Sequence, residues 1–150
     1  LRVEKGIFSL LEIIENTNIK LTIVTPEKEA KLKKNNKNIK LITFENYNDA
    51  IINFYDEHNI LILPSYTEAH PQVLDEALAR NRPVIIFKEI SHVKRNREGV
   101  FICERNIKSL ENMVSYIRGN YDDILAKIKK NNLPTQEKFI NELKNILFKE

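Results

Sequence analysis

Two glutamates stand where they could act on one ligand. In "PSYTEAHPQVLDEALARNRPVIIF", Pro64 to Phe87, Glu68 lies in a small, polar, proline-bounded loop, and Glu76 follows after seven intervening residues. The apolar run "ILIL" (Ile60–Leu63) precedes the loop, and "PVIIF" (Pro83–Phe87) follows the helical stretch "QVLDEALAR" (Gln72–Arg80). Strand, loop, helix and strand in that order put Pro64–Pro71 beyond the carboxyl end of a strand, where α/β sheets bind their ligands. The helix start offers the backbone N–H groups of Gln72, Val73 and Leu74, which attract anions and phosphate above all. Carboxylates are poor phosphate partners but accept hydrogen bonds well from paired hydroxyls. A phosphate on the helix end and a diol on each carboxylate describe a nucleotide sugar, with Glu76 on the ribose and Glu68 on the sugar. Spacing alone is weak ground, and by itself it favours the plainer reading: Glu76 a first-turn acid stabilised by the helix dipole, Glu68 an exposed loop acid.

The elements that must position these groups follow from periodicity. "GIFSLLEIIEN" repeats apolar residues at helical spacing. "IKLTIVT" (Ile19–Thr25) and "NIKLITF" (Asn38–Phe44) read as strands, separated by a turn at Pro26 and a short lysine-rich helix. "NDAIINFYDEH" (Asn48–His58) reads as a helix with Ile51, Ile52 and Tyr55 on one face. The wholly apolar Ile60–Leu63 and Pro83–Phe87 are strands covered on both sides, and "GVFIC" (Gly99–Cys103) is a last one. Pro71 suits the first turn of the helix at Gln72. From Ile107 the pattern is helical, broken at Gly119 and Pro134; the final helix, Thr135–Phe148, carries Phe139, Leu143, Ile146 and Leu147 as a stripe. Alternating strands and helices predict a Rossmann-like α/β domain, a parallel sheet with helices on both faces and a helical C-terminal tail.

Composition bounds the rest. At 150 residues and 17.6 kDa the chain is one domain's worth, and 42% hydrophobic and 30% charged residues are ordinary for a globular protein. No apolar stretch approaches the ~20 residues that span a bilayer. One cysteine makes no internal disulfide, and the absence of a signal pattern points to a reducing cytoplasm. A net charge of +3 is too mild for a nucleic-acid binder. The lysine-rich blocks at Lys31–Lys37, Lys127–Lys130 and Lys94–Arg97 read as solvated faces, the last also suiting anionic headgroups or phosphates. Cys103 reads as an inert core thiol, and His58 and His92 as structural or solvent-facing. The histidines converge with no Cys or Asp set, so no metal site is expected.

"PSYTEAHPQVLDEALARNRPVI" resembles the signature of glycosyltransferase family 4 and its relatives with the GT-B fold. Pro64, Ser65, Glu68, Pro71, Glu76, Ala77, Ala79, Pro83, Val84 and Ile85 match that pattern. "VEKG" (Val3–Gly6) looks like the family's Glu-Lys-Gly, and "EGVFI" (Glu98–Ile102) like its late strand. The resemblance implies that Lys5 pairs with the donor's pyrophosphate, that Glu68 contacts sugar hydroxyls as the candidate catalytic residue, and that Glu76 holds the ribose. It implicates Ala69, His70, Gln72, Val73 and Leu74 in the donor loop, while Pro71, lacking an N–H, only shapes it. Three departures stand out: Ala69 and His70 replace the family's glycine and phenylalanine, Asn81 replaces the glycine after the helix, and "FKEISHV" replaces a Gly-Gly. Asparagine tolerates the left-handed conformation needed there. His70 suits either a donor contact or a loop cap, and Tyr47, near Glu45, either base stacking or core packing.

What the resemblance implies for the whole is a donor-binding domain over residues 1–150, with its first strand and an acceptor domain lying N-terminal to it. The expected activity is retaining, metal-independent transfer of a sugar to a glycan or lipid-linked acceptor, with no cofactor beyond the nucleotide-sugar co-substrate. Expected partners are that donor, the N-terminal acceptor domain and, through the basic clusters, a peripheral contact at the inner face of the membrane. A nucleotide-sugar epimerase, a non-catalytic nucleotide-sugar module and an anionic-surface binder share these features.

Overall fold

The structure, a computed structural model, describes residues 2–26, 36–44 and 50–147. The lysine-rich segment after Pro26, Glu45 and Tyr47, and the Phe139 side chain lie outside what is described. The elements run α1 (Ile7–Ile14), β1 (Leu21–Pro26), β2 (Ile39–Phe44), α2 (Ala50–Glu57), β3 (Leu61–Leu63), α3 (Gln72–Ala79), β4 (Val84–Phe87), β5 (Val100–Cys103), α4 (Ile107–Gly119), α5 (Tyr121–Ile128) and α6 (Gln136–Leu147). A 3-10 turn at Val3–Lys5 precedes α1, and a second 3-10 segment, Lys88–Lys94, follows β4.

Every strand pair is parallel. β3 pairs β4 with Leu63 opposite Ile86, and β4 pairs β5 with Phe87 opposite Cys103. Val84, Ile85, Ile86 and Phe87 are wholly buried, as expected of a strand with a neighbour on each side and helices over both faces. Leu10, Leu11 and Ile14 of α1, Leu74, Ala77 and Leu78 of α3, Leu110 and Ile117 of α4, and Ile124 and Ile128 of α5 complete that core. Of the α6 stripe, Leu143, Ile146 and Leu147 are exposed among the described residues, as is Ile140 beside them.

One expectation changes here. The strands form two parallel sheets rather than one continuous sheet: β1–β2, and β3–β4–β5. β1 and β3 have no second strand neighbour among the described residues, and a groove of about 1390 Å³ lies between them, lined by Leu21–Thr25 and Ile60–Leu63. No described helix is long and apolar enough to cross a membrane.

The turn after α3 confirms a local reading. Asn81 takes φ 56°, and the Arg82 N–H returns to Ala77 O at 2.8 Å, so asparagine closes the helix as glycine does elsewhere.

Candidate functional site

Four segments meet beyond the carboxyl ends of β3, β4 and β5: the turn before α1, the loop Pro64–Pro71, the Lys88–Lys94 segment and the turn at Glu104–Asn106. Gly6 makes the first junction. It sits at φ 64°, and a Cβ built on it would fall 1.9 Å from Pro64 O. Only glycine admits both that conformation and that approach. Next to it, the Tyr66 N–H donates to Glu4 O at 2.8 Å, tying the turn to the loop.

That junction brings two of the expected residues together. Lys5 Nζ lies 2.6 Å from Glu68 Oε1, although the residues are 63 positions apart in sequence. The buried Ser65 hydroxyl donates to the same oxygen at 2.8 Å, and His92 Nε2 donates to Glu68 O at 2.7 Å. Glu68 is thus fixed by side chain and backbone. Lys5 is half-exposed, so its ion pair contributes only about 0–1 kcal/mol and can be exchanged for a stronger anion.

Glu76 has a different partner. Tyr55 of α2 donates its hydroxyl to Glu76 Oε2 at 2.7 Å, leaving the carboxylate half-buried on α3. At the start of that helix, the Gln72 and Val73 amides have no hydrogen-bond partner among the described residues. Leu74 departs from expectation. Its N–H donates to Pro71 O at 3.1 Å, an i→i−3 bond in the first turn, and its side chain is buried in the core. Ala69 and His70 are exposed, and His70 Nε2 lies 3.3 Å from Asp75 Oδ2, so the imidazole faces a first-turn acid of the same helix.

Three contributors were not legible as site residues. Arg105 donates to Ser9 Oγ at 3.0 Å, Pro64 O at 2.9 Å, Ser65 O at 3.3 Å and Glu89 Oε1 at 2.8 Å. Its guanidinium lies between the Tyr66 and Phe87 rings, 4.1 and 4.2 Å from their centroids. Asn106 caps α4 by accepting from Ser109 N–H at 2.9 Å, which fixes the turn carrying Arg105. Arg105 holds Glu89 below the usual carboxylate range, chiefly through their hydrogen bond. Arg97, expected on a solvated face, is instead mostly buried against Asp75, with Nη2 donating to Oδ2 at 3.0 Å and Nε 2.8 Å from Oδ1. Tyr55 is the third. Each is a pairing between distant segments, and its only trace in sequence was a charge or hydroxyl with no evident partner.

Other expectations hold. His58 joins Phe54 O and Thr22 Oγ1, each at 2.7 Å, in a structural bridge. Cys103 is buried, and burial raises its thiol to about 11.

Comparison with known proteins bears on this geometry. The family model for glycosyl transferases group 1 matches residues 1–142. An uncharacterized glycosyltransferase of Haemophilus influenzae is 32% identical over 102 residues, covering 63% of this chain and 29% of its own length. The structure is similar to that of sucrose-phosphate synthase from Thermosynechococcus elongatus, with a TM-score of 0.70 and 17% identity over 98% of this chain and 43% of that one. The chain therefore spans less than half the length of either protein. The fold is that of a GT-B domain, and the chain belongs to the glycosyl transferases group 1 family.

Proposed function

We propose that the whole protein transfers a sugar from a nucleotide-sugar donor to a glycan or lipid-linked acceptor, with retention and without a bound metal, and that this chain supplies the donor half. The observation that carries the reading is the meeting of Lys5, Ser65 and Glu68 beyond β3, in the loop that leads to the Gln72 and Val73 amides, which have no partner among the described residues. Those amides suit the donor diphosphate, and Glu76, already a hydrogen-bond acceptor from Tyr55, suits a ribose hydroxyl. A diphosphate carries more negative charge than one carboxylate and draws Lys5 from Glu68. Oε1 is then free to accept from a hydroxyl of the sugar. As the anomeric C–O bond breaks, its electron pair stays on the diphosphate, where Lys5 and the helix amides stabilise it. The acceptor oxygen forms the new bond and passes its proton to the departing diphosphate oxygen, which has kept the electron pair.

The groove between β1 and β3 supports a further part of this reading: a strand of the segment N-terminal to the turn at Val3–Lys5 joins the two sheets. α1 starts beside Pro64 at the carboxyl end of β3, where a parallel strand delivers the chain to a right-handed crossover.

Calorimetric titration with UDP, GDP and ADP, free and as sugar conjugates, tests the donor assignment. Binding of one base series, weakened about tenfold or more in Glu76→Ala, supports it. Equal binding of all bases, unchanged in the variant, counts against a built ribose site. Absence of binding in the full-length protein as well removes the donor reading.

A further inference from the structure

A second pocket lies at the opposite end of the β3–β4–β5 sheet. Its volume is about 380 Å³, within the ~300–1,000 Å³ range of small-molecule sites. Gly99 and Val100, at the amino end of β5, form its base, and Lys94, Arg95, Tyr116 and Lys127 surround it. The crevice, by contrast, opens at the carboxyl ends of the strands.

Charge singles this pocket out. The side chains of Lys94, Arg95 and Lys127 enter no hydrogen bond or ion pair among the described residues, whereas the neighbouring Arg97 is committed to Asp75. Glu98 is the one carboxylate among the lining side chains. Tyr116, half-exposed and packed edge-to-face on Phe101 at 5.9 Å, adds an aromatic wall to the lining.

The pocket is also held in shape. Asn131 clamps Glu98, accepting from its N–H at 2.8 Å and donating to its carbonyl at 2.9 Å. Gly99, at φ 81°, lies so close to α5 that a Cβ would fall 2.2 Å from the Ile128 side chain. Arg95 sits at φ 45°, ψ −140°, a conformation an arginine adopts only against backbone strain. Such strain persists where surrounding structure imposes it, and Asn131 fixes the same loop at Glu98.

We propose that this pocket binds a phosphate-bearing group, a phosphomonoester or diphosphate, separately from the crevice. Three cations unpaired among the described residues outnumber the one lining carboxylate, and a dianionic group meets them better than a monoanion does. A soluble phosphate and a lipid headgroup present the same chemistry.

The test is a two-dimensional amide NMR titration of the chain with sodium pyrophosphate at constant ionic strength. The expected result is saturable shifts at Arg95–Gly99 and Tyr116, weakened about tenfold or more in Lys94→Ala/Lys127→Ala, with the response of Gln72 and Val73 unchanged. Unchanged amide dispersion in that variant verifies its fold. Glycerol 3-phosphate shifting the same residues supports a soluble source, and sedimentation with phosphatidate vesicles but not phosphatidylcholine vesicles, lost in the variant, supports a lipid source. No shifts at these residues up to ~10 mM, a concentration that detects millimolar binding, overturn the proposal. A response that is only linear in salt, or stronger for single-stranded RNA than for pyrophosphate, does the same.

Discussion

The two parallel sheets differ in how completely they are covered. In β3–β4–β5 the central strand is buried at every residue, and the loops at its carboxyl end are cross-linked by Gly6, Arg105 and the Lys5–Glu68–Ser65 cluster. In β1–β2, Ile23 and Thr25 are buried, while the side chains of Ile39–Phe44 are half-buried or exposed and β1 borders the open groove. The candidate donor site is mounted on the covered sheet. Rigid support suits that reading, because small displacements of reacting groups weaken catalysis steeply. The other sheet borders the groove.

Truncation of the two sheets gives the largest expected effect and the sharpest test of the contrast. Ile85→Ala should cost about 2–5 kcal/mol in urea unfolding, as a fully buried aliphatic truncation does. Ile42→Ala, in half-buried β2, should cost about 1 kcal/mol or less. Equal costs would break the comparison.

Arg97→Met comes next. It leaves Asp75 mostly buried without its cation and should cost about 3 kcal/mol by the same measurement. Gly6→Ala should cost about 1–3 kcal/mol through its positive φ, with more from the clash against Pro64 O. Unlike Ile85→Ala, it should also raise amide exchange specifically at Tyr66 and its loop neighbours. Uniform exchange throughout the β3–β5 sheet would mean that the turn and loop are not locally coupled.

The smallest effect concerns pH. Arg105 lowers the folded pKa of Glu89, so the pair's stabilisation is present above the ordinary glutamate range and is lost as pH falls through the lowered value. In Glu89→Gln, the melting temperature should therefore fall less between pH 7 and pH 3 than in the parent chain. Cys103 titrates in the other direction. Its thiol stays neutral until about pH 11, so alkylation at pH 8 should be slow and should accelerate with denaturant.

Much of this was legible because it depends on local pattern. The wholly apolar Val84–Phe87 announced a covered strand, Asn81 announced its left-handed turn, and the order of strand, loop and helix placed Glu68 in the loop beyond β3. Pairings across the chain were not legible. Nothing in "KRNR" distinguishes Arg97, which closes on Asp75 from 22 positions away, from its exposed neighbour Arg95. Likewise, Lys5 and Glu68 were each expected to face the donor, and their contact with one another emerges only from the approach of Gly6 to Pro64. The division into two sheets was hidden for the same reason: periodicity identifies a strand but not both of its neighbours.

The most direct test of the donor-site account follows the Gln72 and Val73 amides by two-dimensional NMR while UDP, GDP and ADP are added to the full chain and to Lys5→Ala. The account expects both amides to shift with one nucleotide in preference to the others, and expects Lys5→Ala to weaken that response about tenfold or more. Shifts confined to Lys94–Gly99, or crevice shifts identical in the two proteins, would contradict it.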